Sequence, residues 1–541
     1  MYNKRKEIRI IYTTITVFFI IFLLAPLMIL LINSFKTGNG IRISNYVSVI
    51  GDSKILTSIG NSIKVSSITA IITTIMAFTL SYVVNCTNVF KWIKDILKIG
   101  ISVPMLLPTI TYGFAIIYSF GKQGLLTKLF GRELCQIYGF NGLLMGYVIY
   151  TLPSAFLLIN NSFGYIDKKY IIVSKLLGDG VIRNFSNTIL RPLIGTLGGS
   201  FVLSFILSFT DFGIPASVGG NYSVVSTHLY EIMLGSIPDF NSGSVVSILM
   251  LMPSVFGVLL LNYLDKFNFH YDKSTKTEIM KNLLRDVSLG FISILTVAGI
   301  ISIFLIMFIA PFAQNFPYDM SFTTKFFKIT LLSPGILEVY RNSFMVAVIS
   351  ALSGTLVTYA AAIVNIRTNI NKKAKVSLDV FSMITNTVPG MVLGLSYLLF
   401  FNGSDFKRTF IIIIICNIVH FFTTPYLMAK NSFSKMNPAW ETTGELLGDT
   451  WIKTVIRVII PSSISTIVEM FSYYFINSMV TISAIIFLVT ARTSVITSNI
   501  KQLQHFGNFN EIFVLSILIF VTNIFIKICC DTINKKLSIH R

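Results

Sequence analysis

Three ionisable side chains stand inside or at the end of long apolar stretches: Asp211, His420 and Glu469. Charge in hydrocarbon is costly, so such groups are candidates for a solute path, a proton relay or an interhelical pair. Asp211 precedes Phe212 and Gly213, where it can gate a mouth or cap a loop. Glu469 can serve the same path or satisfy a neighbouring helix, and His420 reads as structural. Ser478, Thr481 and Ser483 add hydroxyls suited to lining a passage or to packing helices, and Gly195, Gly198 and Gly199 allow close helix approach. Bond-making chemistry has no such constellation. There is no Gly-x4-Gly-Lys-Ser/Thr phosphate loop, no cluster of catalytic polar groups, and the five cysteines lack the paired spacing of a zinc, haem or redox site. The expectation is a carrier that is not an enzyme, with no cofactor or metal of its own.

The elements that position these groups are membrane helices. Of the 541 residues 53% are hydrophobic and only 12% charged, about half the charged share of a soluble domain. Twelve apolar runs are long enough to span as helices: 10–32, 61–85, 99–120, 139–160, 193–212, 243–264, 287–312, 342–364, 378–402, 409–430, 463–489 and 510–531. The first follows the basic start MYNKRKEIR, is too long for a cleaved leader and lacks a small-x-small site, so it reads as a retained anchor. The fold class is an all-α integral membrane protein. The net charge of +20 lies in the connections rather than on one face, which argues for helix orientation and against nucleic acid as a partner.

Most of the 43 Lys and Arg fall in the N-terminal tail, 86–98, 161–192, 265–286, 365–377, 430–461 and the C-terminus. The positive-inside rule places these segments and both termini in the cytoplasm. Gly213–Ser242, with no Lys or Arg, reads as a long external crossing that meets a partner or lines an entrance. The chain also repeats itself. At a shift of 281, Asn61 and Ser62 meet Asn342 and Ser343, Pro108 meets Pro389 and Gly113 meets Gly394. Six spans separate equivalent points, so the halves run in the same orientation, about a pseudo-two-fold axis along the membrane normal. The expected division is 1–264, a cytoplasmic linker 265–286, and 287–541.

Two polar, cationic inner segments stand out: Ile166–Pro192 and Asn437–Pro461. Each reads as a short helix, a turn at glycine and a second amphipathic helix leading into a span. In the second, Pro438 suits an early helical position, Gly448 fits a left-handed cap, and Leu446, Leu447, Trp451, Ile452 and Val455 fall at helical spacing as an apolar ridge. LLGDTWIKTVIRVIIP resembles the EAA loop of ATP-binding cassette importer permeases, in which a glycine is followed thirteen residues later by proline. Gly448 and Pro461 keep that spacing; Glu441 matches one of the acids, Gly444 a small position, Leu447 the residue before the glycine, and Pro438 the opening proline. The first copy matches at Asp167, Ser174, Leu177 and Gly178. It has Ile171 and Ile172 at the acid positions and Arg191 at the proline position, with Pro192 one step late.

The resemblance implies two six-helix permease halves of the binding-protein-dependent type fused on one chain of a bacterial inner (cytoplasmic) membrane importer. Its implied partners are two copies of a cytoplasmic ATPase, which bind the ATP and Mg, a solute-binding protein outside, and the bilayer. Gly178 and Gly448 would be the turns of two coupling helices in an alternating-access cycle. Ser208–Gly235 and Asn477–Val489 are similar to fused permeases for ferric iron, 2-aminoethylphosphonate or thiamine; ferric iron ranks first, with a polyamine also among the alternatives. An ion-gradient secondary transporter is the competing class and predicts paired acids, histidines or broken helices at the midplane.

Overall fold

With no water to pair backbone groups inside the bilayer, apolar runs of about 20 residues close their hydrogen bonds internally as helices. The computed structural model describes residues 6–37, 40–166, 169–264, 266 and 282–539. The linker 265–286 therefore lies largely outside the described residues. Among these, 8 helices are long and apolar enough to cross a membrane, or up to 12 if each of 4 bent helix pairs is one span. The structure is an all-α membrane protein, with two small antiparallel hairpins, Lys36–Thr37 with Gly40–Ile41 and Ala313–Asn315 with Asp319–Phe322, after its first and seventh apolar runs.

Several runs expected to be continuous are broken. Lys91–Leu106 and Thr109–Phe130 meet at 110°, and Lys372–Thr387 and Gly390–Phe400 at 104°. The breaks fall at Pro108 and Pro389, the prolines equated by the repeat, and each is the N-cap of the helix that follows. Proline has no N–H to give and pushes its predecessor out of the helical region, so the chain turns there. The run 463–489 also needs correction: its helix ends at Val480 and the chain continues without regular helix to Thr490. The run 409–430 is bent by 51° between His420 and Thr423.

Gly213–Ser242 is not an open crossing. It folds into Gly213–Val218 and Val225–Leu234 and buries Ile214, Pro215, Val218, Val225, Leu229 and Met233. Gly113 permits this, because a Cβ there would lie 1.9 Å from Ser217 Oγ.

The repeated Asn-Ser pairs have a structural reason. Asn61 Nδ2 donates to the Ser223 carbonyl at 3.0 Å, and Ser62 Oγ accepts from the Val225 N–H at 2.8 Å. Asn342 Nδ2 donates to the Ser494 carbonyl at 3.4 Å, and Ser343 Oγ accepts from the Ile496 N–H at 2.6 Å. Each pair satisfies the backbone where extended chain enters a short helix.

Packing crosses the sequence repeat. One compact unit comprises Met1–Asn45, Thr330–Phe506 and Ile517–Arg541; the other comprises Tyr46–Ile329 and Gly507–Ser516. In the first unit the opening helix, Lys6–Phe35, lies on second-half residues. Phe19 stacks on Phe381 at 5.0 Å and meets Phe422 edge-on at 4.6 Å, and Tyr397 donates to the Phe22 carbonyl. In the second unit Leu283–Phe312 lies on first-half residues, with Phe304 edge-on to Tyr112 at 5.1 Å and Val297 against Gly100. The leading helix of each half is thus packed by the other half's residues.

Ser343→Ala leaves the buried Ile496 N–H without its acceptor, a loss of roughly 1–3 kcal/mol. The purified chain should unfold about 1–3 °C lower on heating, whereas Ser353→Ala, on an exposed helix face, should leave the transition in place. Equal midpoints for the two variants would remove the clamp.

Candidate functional site

The two inner segments fold alike from equivalent residues. In the second, Pro438 caps helix Ala439–Leu446, and Gly448 turns the chain with φ +78°. The Gly448 N–H donates to Glu445 and the Asp449 N–H to Gly444, so the helix end closes on itself. In the first, helix Lys169–Leu176 is followed by Gly178 at φ +84°, and the Asp179 N–H returns to Ser174. A residue with a Cβ is strained at such φ, which accounts for both glycines. Ion pairs join Asp179 to Arg183 and Asp449 to Lys453 at the same place in each copy. Gly444 is small for a reason: a Cβ would lie 2.5 Å from Thr454 Oγ1.

Each turn presents two leucines to its surroundings. Leu176 and Leu177 are 81% and 79% exposed, Leu446 and Leu447 84% and 77%. The expected ridge is split, because Trp451 is buried while Leu446, Leu447 and Ile452 remain outside. A short helix places Trp451 inward and the leucines outward when a glycine turn separates them. Asp167 lies outside the described residues.

The routes into the spans differ. Pro461 sits in the first turn of Ile460–Val480, directly after a π-helical segment, Val455–Ile459, and the helix Trp451–Val480 runs on as one span. The first copy has the same π-helical segment, Ser186–Leu190, but there the chain bends by 66° into Ile194–Thr210. Pro192, one step late, falls in the turn between them.

The second loop is anchored by a residue that sequence reasoning passed over. Arg367, just past helix Ile336–Ile366, donates Nε to Glu441 Oε1 and Nη2 to Oε2, both at 2.5 Å. It also donates to the carbonyls of Met436 at 3.1 Å and Asn437 at 2.9 Å. Both side chains are buried, at 4% and 7% exposure. The available signal was a lone arginine ending a long apolar run, opposite the acid of the loop.

The path candidates are dispersed. The Asp211 carboxylate accepts from the Ile214 N–H at 2.8 Å, and the neighbouring Gly213 lies against Thr109, where a Cβ would stand 2.2 Å from its Oγ1. Asp211 therefore caps the helix after the break, and the close approach of Gly213 to Thr109 brings that break to the bend at Pro108. The Asp211 carbonyl accepts from Ser226 Oγ at 2.7 Å, and the equivalent Thr481 carbonyl accepts from Thr497 Oγ1 at 2.9 Å. Ser478 is buried near the end of its helix rather than mid-span, and Ser483 lies beyond that end, beside Gly390 and His420. Glu469 is on an exposed face, within electrostatic reach of Asp531. Among the described residues no three His, Cys, Asp or Glu side chains gather to hold a metal.

The breaks at Pro108 and Pro389, 281 residues apart, and the glycine turns with their leucine pairs, 270 apart, describe a duplicated architecture. Residues 77–270 and again 354–538 match the family described as binding-protein-dependent transport system inner membrane component. The chain belongs to this family. It is accordingly a multi-pass inner-membrane permease of the ABC importer class. It is 25% identical over 504 residues to the ferric transport system permease protein FbpB of Actinobacillus pleuropneumoniae, covering 90% of this chain and 72% of that one. A putative ferric transport system permease protein, FbpB 1 of Haemophilus influenzae, is 24% identical over 491 residues, covering 88% and 77%. A probable sulfate transport system permease protein cysT of Helicosporidium is 28% identical over 197 residues, 35% of this chain and 71% of that one.

The cap assignment makes Asp211→Asn and Asp211→Ala unequal. Asparagine keeps an acceptor for the Ile214 N–H and should leave membrane abundance near that of the unaltered permease. Alanine removes it at roughly 0.5–2 kcal/mol and should lower abundance. A transport loss that is complete in Asp211→Asn at normal abundance would instead make the charge itself functional.

Proposed function

We propose that this permease imports ferric iron by alternating access, driven by two copies of a separate ATPase that dock on the loops centred on Gly178 and Gly448. The observation that carries the reading is the duplicated turn: in each copy a glycine at positive φ holds two adjacent leucines almost fully in the open. Exposed apolar side chains in an otherwise polar, cationic segment are suited to an apolar groove on a partner protein. Asp167, Ser174, Leu177 and Gly178 in one copy, and Pro438, Glu441, Gly444, Leu447, Gly448 and Pro461 in the other, would form these docking loops. The ATP and Mg belong to the ATPase, and a solute-binding protein would deliver cargo at the opposite face.

The cargo rests on the relatives that span most of the chain, both of which bear the name of ferric transport permeases. 2-Aminoethylphosphonate, thiamine and a polyamine are the other cargoes of the same importer class. Lys and Arg in the loops and tails support a cytoplasmic placement of both termini, and the halves 1–264 and 287–541 would each supply one docking loop. Asp211, Glu469, Ser478, Thr481 and Ser483 remain the side chains proposed for the path, with Asp211 acting as the brace of its mouth.

Gly448→Pro and Gly178→Pro remove the left-handed turn, since proline is confined to negative φ. Each should cut uptake of radioactive ferric iron by tenfold or more in cells, with the chain still inserted in the membrane. Undiminished uptake in both would withdraw the docking assignment. The cargo is tested separately, by thermal shift of the binding protein encoded beside this chain against ferric iron, phosphonates, thiamine and polyamines. Stabilisation by another member of that panel would replace iron.

A further inference from the structure

The repeat allows the anchor of the second loop to be read against the first. The shift of 281 holds from Asn61 to Gly113, so the counterpart of Arg367 is Cys86. The shift of 270 that equates Gly178 with Gly448 makes Ile171 the counterpart of Glu441. Both members of the ion pair are therefore replaced together by uncharged residues. A buried charge left without its partner is strongly destabilising, whereas an apolar pair in the same place is tolerated. The joint replacement is what that rule requires.

The first loop is held by other means. Phe185 packs edge-on against Phe78 at 6.1 Å and Tyr82 at 5.9 Å, and Asn184 Nδ2 donates to the Ile171 carbonyl at 2.9 Å, within the loop itself. A cavity of about 250 Å³ opens within the loop segment itself, lined by Tyr170, Val173, Ser174, Leu177, Asn187 and Pro192 among others. Edge-on ring contacts are weaker and less directional than a charge-assisted fork, and the first loop is loosely packed around that cavity. In the Arg367 fork, two bonds to one carboxylate and two to carbonyls fix the loop in distance and in angle.

We infer that Arg367 is a positioning residue that locks the second loop to the end of helix Ile336–Ile366, so that the two loops transmit an ATPase stroke unequally. The second passes displacement directly to its helix; the first absorbs part of it in aromatic packing. This rests on the docking reading above.

The test uses the complete transporter, permease with ATPase and binding protein, and reads iron transported per ATP hydrolysed. Arg367→Met with Glu441→Leu leaves no lone buried charge and should accumulate normally while transporting at least fivefold less per ATP. Phe185→Leu, the matching disturbance of the first loop, should lower the ratio by less than twofold. An unchanged ratio in the double variant, an equal loss in Phe185→Leu, or failure of the double variant to accumulate would each overturn the inference. Cross-linking of Leu447→Cys to the ATPase, in an otherwise unaltered chain, separates the two levels. Its absence would defeat the docking reading itself, and its presence leaves the ratio to decide on Arg367.

Discussion

A helix interrupted inside a span has to pair its backbone without help from solvent, and among the described residues that constraint accounts for several of the buried polar side chains. Asp211 accepts the Ile214 N–H where Ile194–Thr210 stops; Ser226 and Thr497 donate to the carbonyls of Asp211 and Thr481, the residues that end each broken helix; Ser62 and Ser343 accept the N–H groups that start each inward-folded short helix. In hydrocarbon an unpaired backbone group costs several kcal/mol. Several of the hydroxyls and amides along the spans are therefore placed where the chain turns, while others, such as Thr73 with Thr151 and Thr358 with Tyr474, join helix to helix. A single carboxylate at a helix break, which invites a reading as a gate, is first of all a cap.

What was legible in the sequence was whatever depends on composition or on one residue's backbone preference. The apolar runs marked the spans, and the cations marked the connections. Glycine before a polar helix start marked turns that need positive φ. Shapes set by contact between distant residues were not legible. Pro108 and Pro389 were visible as a repeat, but their bends of about a right angle depend on Gly113 and Gly394 admitting Ser217 and the Ala484 carbonyl within 3 Å of where a Cβ would stand. The exchange of leading helices rests on ring contacts such as Phe19 with Phe381, about 360 positions away, which no periodicity reports. The ridge through Leu446 and Trp451 failed because helical spacing was carried across a glycine that resets the direction of the chain.

The duplicated loops have the same turn and different anchors. Their turns are dictated by glycine and by two backbone hydrogen bonds, so they survive wide change in the surrounding side chains. Their anchors are side-chain arrangements, and these have diverged as units: Arg367 with Glu441 in one copy, Phe185 with Phe78 and Tyr82 in the other. Coupled replacement is expected where removing one member of a pair costs more than removing both.

The π-helical segments Ser186–Leu190 and Val455–Ile459 carry one residue more than an α-helical turn has room for. At 3.6 residues per turn, that residue offsets by about 100° the faces before and after it. In both halves, then, the side of the helix that looks toward the loop and the side that looks into the span are rotated from each other by that fixed offset. The stripe that each helix presents beyond its loop is thus about 100° away from the one an unbroken α-helix would present.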